Sequence, residues 1–208
     1  MNREYTHALT LYFLTPLYDC VLKILGLGDA FYEQIISHIE PKDGDKILDV
    51  GTGTGNLAIA IKRKYPKTEV TGVDPDPKIL KIARKKIKKS KIGIKIFKAA
   101  AQSLSFEDES FDFVVSSLVV HHIPRQVKKK AFLKMRRVLK ENGTILIVDF
   151  GIPKNIFLYI LVFILSLFED VRPNMRGFIP HILKETGFRN IKEVENKFGI
   201  ISFYKGKK

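Results

Sequence analysis

Residues 47–55 read Ile-Leu-Asp-Val-Gly-Thr-Gly-Thr-Gly, three glycines set directly behind a short apolar run. No other stretch constrains the chain as much. A buried strand that ends in a glycine loop and leads into a helix puts the loop at the carboxyl end of the strand, where open α/β sheets bind ligands. Glycines let the main chain approach a ligand closely, and the first turn of the next helix offers unpaired N–H groups to an anion. The dinucleotide pattern Gly-x-Gly-x-x-Gly is met at Gly51 and Gly53, but its third place is Asn56, and the third glycine comes one residue early at Gly55. The phosphate-loop pattern fails too, because no Gly-Lys-Ser/Thr follows. A pyrophosphate ligand is disfavoured.

The rest of the chain supplies the sheet. Lys46–Val50, Glu69–Asp74, Ile92–Lys98, Phe111–Ser116 and Thr144–Phe150 read as strands. Helical runs alternate with them at Asn56–Lys64, Asp76–Lys89 and Arg125–Leu139. In the second of these, Ile79, Ile82, Ala83 and Ile87 mark the apolar stripe, and Asn142-Gly143 reads as the stop signal of the third. This alternation is the pattern of a parallel sheet covered on both faces. A helix around Ile179–Thr186 ends at Gly187, and strands Asn190–Val194 and Phe198–Tyr204 close the chain. Their short connection, 195–197, predicts an antiparallel pair, since a parallel one needs a longer crossover. The fold class is α/β, with seven strands and an antiparallel C-terminal edge.

The second strand ends in Gly72-Val73-Asp74. A carboxylate at that place can accept hydrogen bonds from both hydroxyls of a ribose. Coupled to Asp49 and the bare loop, it predicts a nucleoside-bearing ligand whose other end is small. At 208 residues the chain is long enough for one sizeable domain. Its single cysteine, Cys20, allows no internal disulfide and no multi-thiolate metal site, which points to a reducing, cytosolic compartment. No cleavable signal pattern is visible at the N-terminus.

On these residues the chain resembles the class I S-adenosylmethionine-dependent methyltransferases, in their small-molecule branch. Ile47–Gly55 looks like the family's first motif and Val70–Asp74 its second-strand acidic motif. Ser110–Ser117 followed by His121-His122-Ile123 resembles the fourth-strand motif, and Arg137–Lys140 with Gly143-Thr144 the turn into strand five. The resemblance implies a Rossmann-like single domain: an N-terminal helical lid (1–40), a cofactor-binding core (41–150), and an apolar insertion with a C-terminal helix and hairpin (151–208). It implies S-adenosylmethionine as cofactor, with contacts from Tyr18, Asp49, Gly51, Thr52, Gly53, Gly55, Asn56, Asp74, Pro75, Ala101, Gln102 and Ser117. The family usually carries an acidic residue where Ala100 stands, so Gln102 or a main-chain carbonyl is left to meet the adenine. No metal site is implied.

His121 and His122 follow strand four at the end of the sheet where chemistry belongs, and either can take a proton near neutrality. Each can equally cap a loop or pack beneath the cofactor. Phe13–Asp19 is similar to the opening segment of the quinone-ring methyltransferases of menaquinone and ubiquinone synthesis. The apolar stretch Leu9–Leu27 around it should fold over the sheet as the lid. The run 156–168 is uncharged but shorter than the roughly 20 residues a membrane span needs. It can form a pocket wall, an interfacial membrane helix or a dimer contact, and the oligomeric state is left open.

Net charge is +14, with dense tracts at 78–91 and Lys128–Lys130 that read as solvated helix faces. An apolar pocket beside a basic surface suits a small or lipid-like acceptor, such as a quinone precursor or a phospholipid amine, with peripheral membrane contact. Nucleic acid is the less favoured partner. Ser116–Val119 does not resemble the Asn-Pro-Pro-Tyr of base-amine methylation, and no cysteine there can attack a pyrimidine. RNA methylation at other positions, or cofactor binding without turnover, are the alternatives.

Overall fold

The computed structural model describes residues 26–166 and 171–208. Tyr18 and residues 1–25 of the expected lid lie outside the described residues. The strands are β1 (Lys46–Val50), β2 (Glu69–Asp74), β3 (Ile94–Lys98), β4 (Phe111–Ser117), β5 (Leu139–Phe150), β6 (Arg189–Lys197) and β7 (Ile201–Lys207). They form one seven-stranded sheet in the order β3-β2-β1-β4-β5-β7-β6. β1 to β5 pair in parallel, whereas β7 runs antiparallel to both β5 and β6. The antiparallel edge expected from the sequence is therefore present, and the last strand of the chain is threaded inside it.

The central strands are built around apolar runs because both of their faces are covered. Leu48, Val50, Val114, Ile145 and Ile147 face one buried cluster. Their neighbours Ile47, Val115, Leu146 and Val148 face the other, the period-two alternation of a strand. α1 (Asp29–Ser37) and α2 (Asn56–Lys64) fill the second cluster through Phe31, Ile35, Leu57 and Ile61. α4 (Arg125–Val138) and α7 (Phe178–Glu185) fill the first through Phe132, Met135, Ile182 and Leu183. α3 (Pro77–Ser90) is capped by Asp76, whose carboxylate accepts the Lys78 N–H at 2.8 Å. Its buried face is Leu80, Ala83 and Ile87 rather than one led by Ile79. Lys81, Arg84, Lys85, Lys88 and Lys89 are exposed opposite, the solvated face expected.

Three local expectations are corrected. Asn142-Gly143 does not stop a helix: α4 ends at Val138, the strand begins at Leu139, and a register break between Phe111 and Phe113 absorbs the insert. Asn142 lies in the left-handed region at φ 61°, within the extra residues that the break in pairing accommodates. Second, the hairpin turns at Phe198-Gly199, where φ is 57° and 72°, not at 195–197. Positive φ at two successive residues matches the twist of the flanking strands. Third, Lys128 is not on a solvated face; it is fully buried with its ammonium 5.3 Å from the Phe178 ring centroid, a cation–π arrangement.

α1 is latched to the hairpin. Gln34 Nε2 donates to Glu195 Oε1 at 2.7 Å, His38 Nε2 lies 2.6 Å from Glu195 Oε2, and Lys197 Nζ donates to Gln34 Oε1 at 2.5 Å. Beneath them Phe31 meets Phe203 edge to face, centroids 6.0 Å apart. After β5 come α5 (Ile156–Leu165), capped by the Asn155 carboxamide, and the single turn α6 (Arg172–Met175). No described helix is long and apolar enough to cross a membrane.

Candidate active site

A cleft opens at the carboxyl ends of β1 and β4. The glycine loop is hooked to β2: the Gly51 and Thr52 N–H groups both donate to the Val73 carbonyl, at 2.8 and 2.9 Å. Two glycines in it answer to different constraints. Gly51, at φ 76°, lies against Val119, and a Cβ added there would sit 2.2 Å from the valine Cγ2. Gly53, at φ 54°, has nothing within 4 Å of the place a Cβ would occupy, so its peptide faces open space where a ligand can rest. Gly51 thus serves the protein's own packing and Gly53 the cleft.

Two carboxylates underlie the loop. Asp49 is buried and accepts the Thr52 hydroxyl at 2.7 Å. Burial pushes its pKa up from 3.8 to about 7, against the Thr52 hydrogen bond and with the help of nearby Asp74. Asp74 is also raised, first by burial, although the Asp76 and Gly53 N–H groups donate to it at 2.9 and 3.1 Å. Two buried acids, both with raised pKa, form a site that gains when a cation arrives.

Of the residues expected at the cofactor, Asp49, Gly51, Thr52, Gly53, Asn56 and Ser117 line this cleft together. Gly55, Asp74, Pro75, Ala101 and Gln102 are not part of its wall. Gly55 packs on Ala83, Asp74 lies behind the loop, and Ala101 and Gln102 form a buried 3-10 turn after β3. Leu27, Phe31, Tyr32, Thr54, Leu57 and Leu118 complete the wall. Apart from Thr54, which lies within the Gly51–Gly55 loop, sequence reading missed them. Leu118 is notable for its positive φ of 56°, a conformation that costs a bulky residue roughly 1–3 kcal/mol and tends to mark functional turns.

His121 and His122 sit in a 3-10 turn after β4, ring centroids 4.0 Å apart. His121 is nearly buried, and its Nδ1 is 2.7 Å from Asp149 Oδ1 at the end of β5. Asp149 also went unread, although a lone carboxylate closing the apolar run Ile145–Val148 is a visible anomaly. Burial alone would raise it. The His121 imidazole and the Phe150 N–H outweigh burial and hold it below the usual carboxylate range. Among the described residues no His, Cys, Asp or Glu group is gathered to hold a metal ion.

A glycine loop over paired acids at the carboxyl end of a mostly parallel sheet is the arrangement of a Rossmann-like nucleoside-binding fold. Comparison with known proteins agrees. A methyltransferase-domain family profile matches residues 47–143. The demethylmenaquinone methyltransferase of Chlorobaculum parvum is 32% identical over 170 residues, 79% of this chain and 67% of that protein. The ubiquinone/menaquinone biosynthesis C-methyltransferase of Syntrophotalea carbinolica is 27% identical over 93% of this chain and 90% of its own length. A methyltransferase structure from Aquifex aeolicus superposes with a TM-score of 0.72 at 19% identity, covering 93% of this chain and 96% of that one. The chain belongs to the class I S-adenosylmethionine-dependent methyltransferases. It uses that cofactor to methylate a small-molecule acceptor.

The site fits the cofactor on its own terms. The open peptide at Gly53 and the under-ionised Asp49 suit a ligand that carries positive charge and must lie close to the main chain.

Proposed function

We propose that the acceptor is lipid-like, a reduced quinone precursor methylated on ring carbon, as the names of the demethylmenaquinone- and ubiquinone-pathway relatives suggest. α5 carries this reading. Ile156–Leu165 holds no charged residue, and all but a few of its side chains face solvent: Phe157 is 81% exposed and Ile156 64%, whereas Val162 is buried. Such a helix is costly in water and suits a bilayer interface or a greasy ligand. Exposed Lys154, Arg172 and Arg176 flank it, with the Arg172 guanidinium 5.3 Å from the Phe163 ring centroid. These cations, with the net charge of +14, favour peripheral contact between a cytoplasmic protein and an anionic membrane. The relatives lend no support to RNA as the acceptor.

In this reading the chain is one domain with the three parts expected. Asp49 and the peptides of Gly51–Gly55 hold the amino-acid end of the cofactor, with Asn56 and Ser117 beside it in the cleft. Asp74 with Pro75 takes the ribose and the turn at Ala101-Gln102 the adenine, beyond the cleft wall and on the strength of the family resemblance. When bound, the cofactor supplies a methyl group on a sulfonium, an arrangement already prone to displacement. The protein's work is to align the acceptor, exclude water and remove the acceptor's proton. His121 or His122 takes that proton.

The test is transfer of labelled methyl to a reduced short-chain demethylmenaquinone in anionic vesicles, with phosphatidylethanolamine and RNA as competing acceptors. Label on the quinone ring is expected, and label on either competitor overturns the reading. Flotation of the protein with the vesicles at low salt, lost at high salt, is the accompanying result; recovery in the soluble fraction at low salt refutes the membrane contact.

A further inference from the structure

Asp149 is fully buried and has no task in the mechanism above. Its Oδ1 faces His121 Nδ1 at 2.7 Å, the Phe150 N–H at 2.7 Å and Asn174 Nδ2 at 3.3 Å. Its Oδ2 accepts the Val120 N–H at 2.7 Å and the His121 N–H at 3.4 Å. The main-chain and Asn174 partners can only donate, so the group is a carboxylate, and the proton shared with the imidazole belongs on Nδ1. The ring is then left with a bare Nε2. Its flanks are packed by the Phe150 ring, nearly perpendicular at 81° with centroids 5.2 Å apart, and by His122. In the other tautomer the Nδ1 lone pair would face the Asp149 carboxylate, and turning the ring to relieve this would disturb both contacts.

We infer that Asp149 is the positioning residue for His121, fixing the ring so that Nε2 is the atom that takes the acceptor's proton. This rests on the proposed reading, in which the acceptor sheds a proton. His121 Nε2 receives that proton as the acceptor's new bond to the methyl carbon forms and the bond from that carbon to sulfur breaks. The electron pair of the broken bond stays on sulfur. The imidazolium remains bonded to Asp149 through Nδ1–H and later releases its Nε2 proton to water, while Asp149 stays ionised throughout. Among the described residues the buried Asn174 Oδ1 has no hydrogen-bond partner, so the network around Asp149 is not fully satisfied. Among the described residues the other ionisable groups facing the pair are His122 on the same turn and Tyr204 on β7.

Imidazole nitrogen NMR on the full-length protein tests this without knowledge of the acceptor. His121, assigned by its loss in H121A, is expected in the Nδ1–H tautomer when neutral, and Asp149→Asn is expected to abolish that preference. A neutral His121 protonated on Nε2 overturns the inference, whether or not the variant folds. Turnover on the reduced short-chain demethylmenaquinone is the second readout. D149N should retain binding of S-adenosylhomocysteine, lose about 10²–10⁴-fold in kcat, and shift the acidic limb of its pH profile to lower pH, with partial rescue in D149E. If H121A abolishes turnover while D149N keeps both kcat and the limb, the positioning role falls alone. If H121A turns over normally, the base falls and with it the role of Asp149. If the wild-type protein leaves this acceptor unmethylated, the acceptor reading falls and the tautomer decides the inference.

Discussion

Asp49→Asn separates what the buried acid does for the ligand from what it does to the fold. Asp49 is raised from 3.8 to about 7, first by burial. Between about pH 4 and pH 7 the folded chain therefore holds a proton on Asp49 that the unfolded chain releases. Stability from this group is complete below the unfolded pKa, declines as pH rises through the window, and is lost above the folded pKa. At about 1.4 kcal/mol per pKa unit the whole effect is about 4 kcal/mol. Asparagine keeps the size and can still accept the Thr52 hydroxyl, but it does not titrate. Urea denaturation of both proteins from pH 4.5 to 8 at fixed salt isolates Asp49 together with its coupling to Asp74, since groups not coupled to it cancel in the difference. The wild type should lose about 3 kcal/mol relative to D49N over that range, and the variant should be the more stable protein at pH 8. Calorimetry with S-adenosylhomocysteine should show the opposite ranking: binding to D49N weaker by about tenfold or more, the loss of one charge-assisted hydrogen bond. Wild-type affinity should also fall as pH drops below 7. A stability difference flat to within about 0.5 kcal/mol across the range would refute the argument.

Gly51→Ala and Gly53→Ala should diverge. Both need a positive φ, costing about 1–2 kcal/mol, but only G51A also drives a Cβ into Val119, adding about 1–3 kcal/mol of overpacking. Thermal or urea unfolding should therefore rank G51A as much the less stable, while G53A folds and loses cofactor affinity in calorimetry. On α5, the pair Phe157→Lys and Ile160→Lys replaces exposed side chains and should change unfolding stability by less than about 1 kcal/mol. The same variant should no longer float with anionic vesicles.

The sheet was legible in the sequence because its signals are local. Each central strand is a short apolar run with a turn residue behind it, and Asp49 and Asp74 close two of them. Boundaries failed where two local signals compete. Asn142-Gly143 suits a helix stop as well as a break in strand pairing, and only pairing with β4 decides. Lys128 sits among lysines, yet it is buried because Phe178 on α7 lies over it, a contact 50 residues distant in sequence. The same limit applies at the site. The glycine loop announces itself within nine residues, whereas the Asp149–His121 pair spans 28 and has no spacing rule. Leu118 and Tyr32 join the cleft only through the way β4 and α1 meet it.

The interior position of β7 has a consequence for biosynthesis. The wall of the cleft includes Phe31 and Tyr32 on α1, and α1 is latched to the β6–β7 hairpin, which follows the other five strands in sequence. A chain emerging from the ribosome thus exposes its ligand-binding loop early but cannot seat the helix beside it until the final strand has slotted between β5 and β6. Translation that stops short of β7 should leave a product with the recognition motif intact and the receptor half built, a natural substrate for quality-control proteolysis.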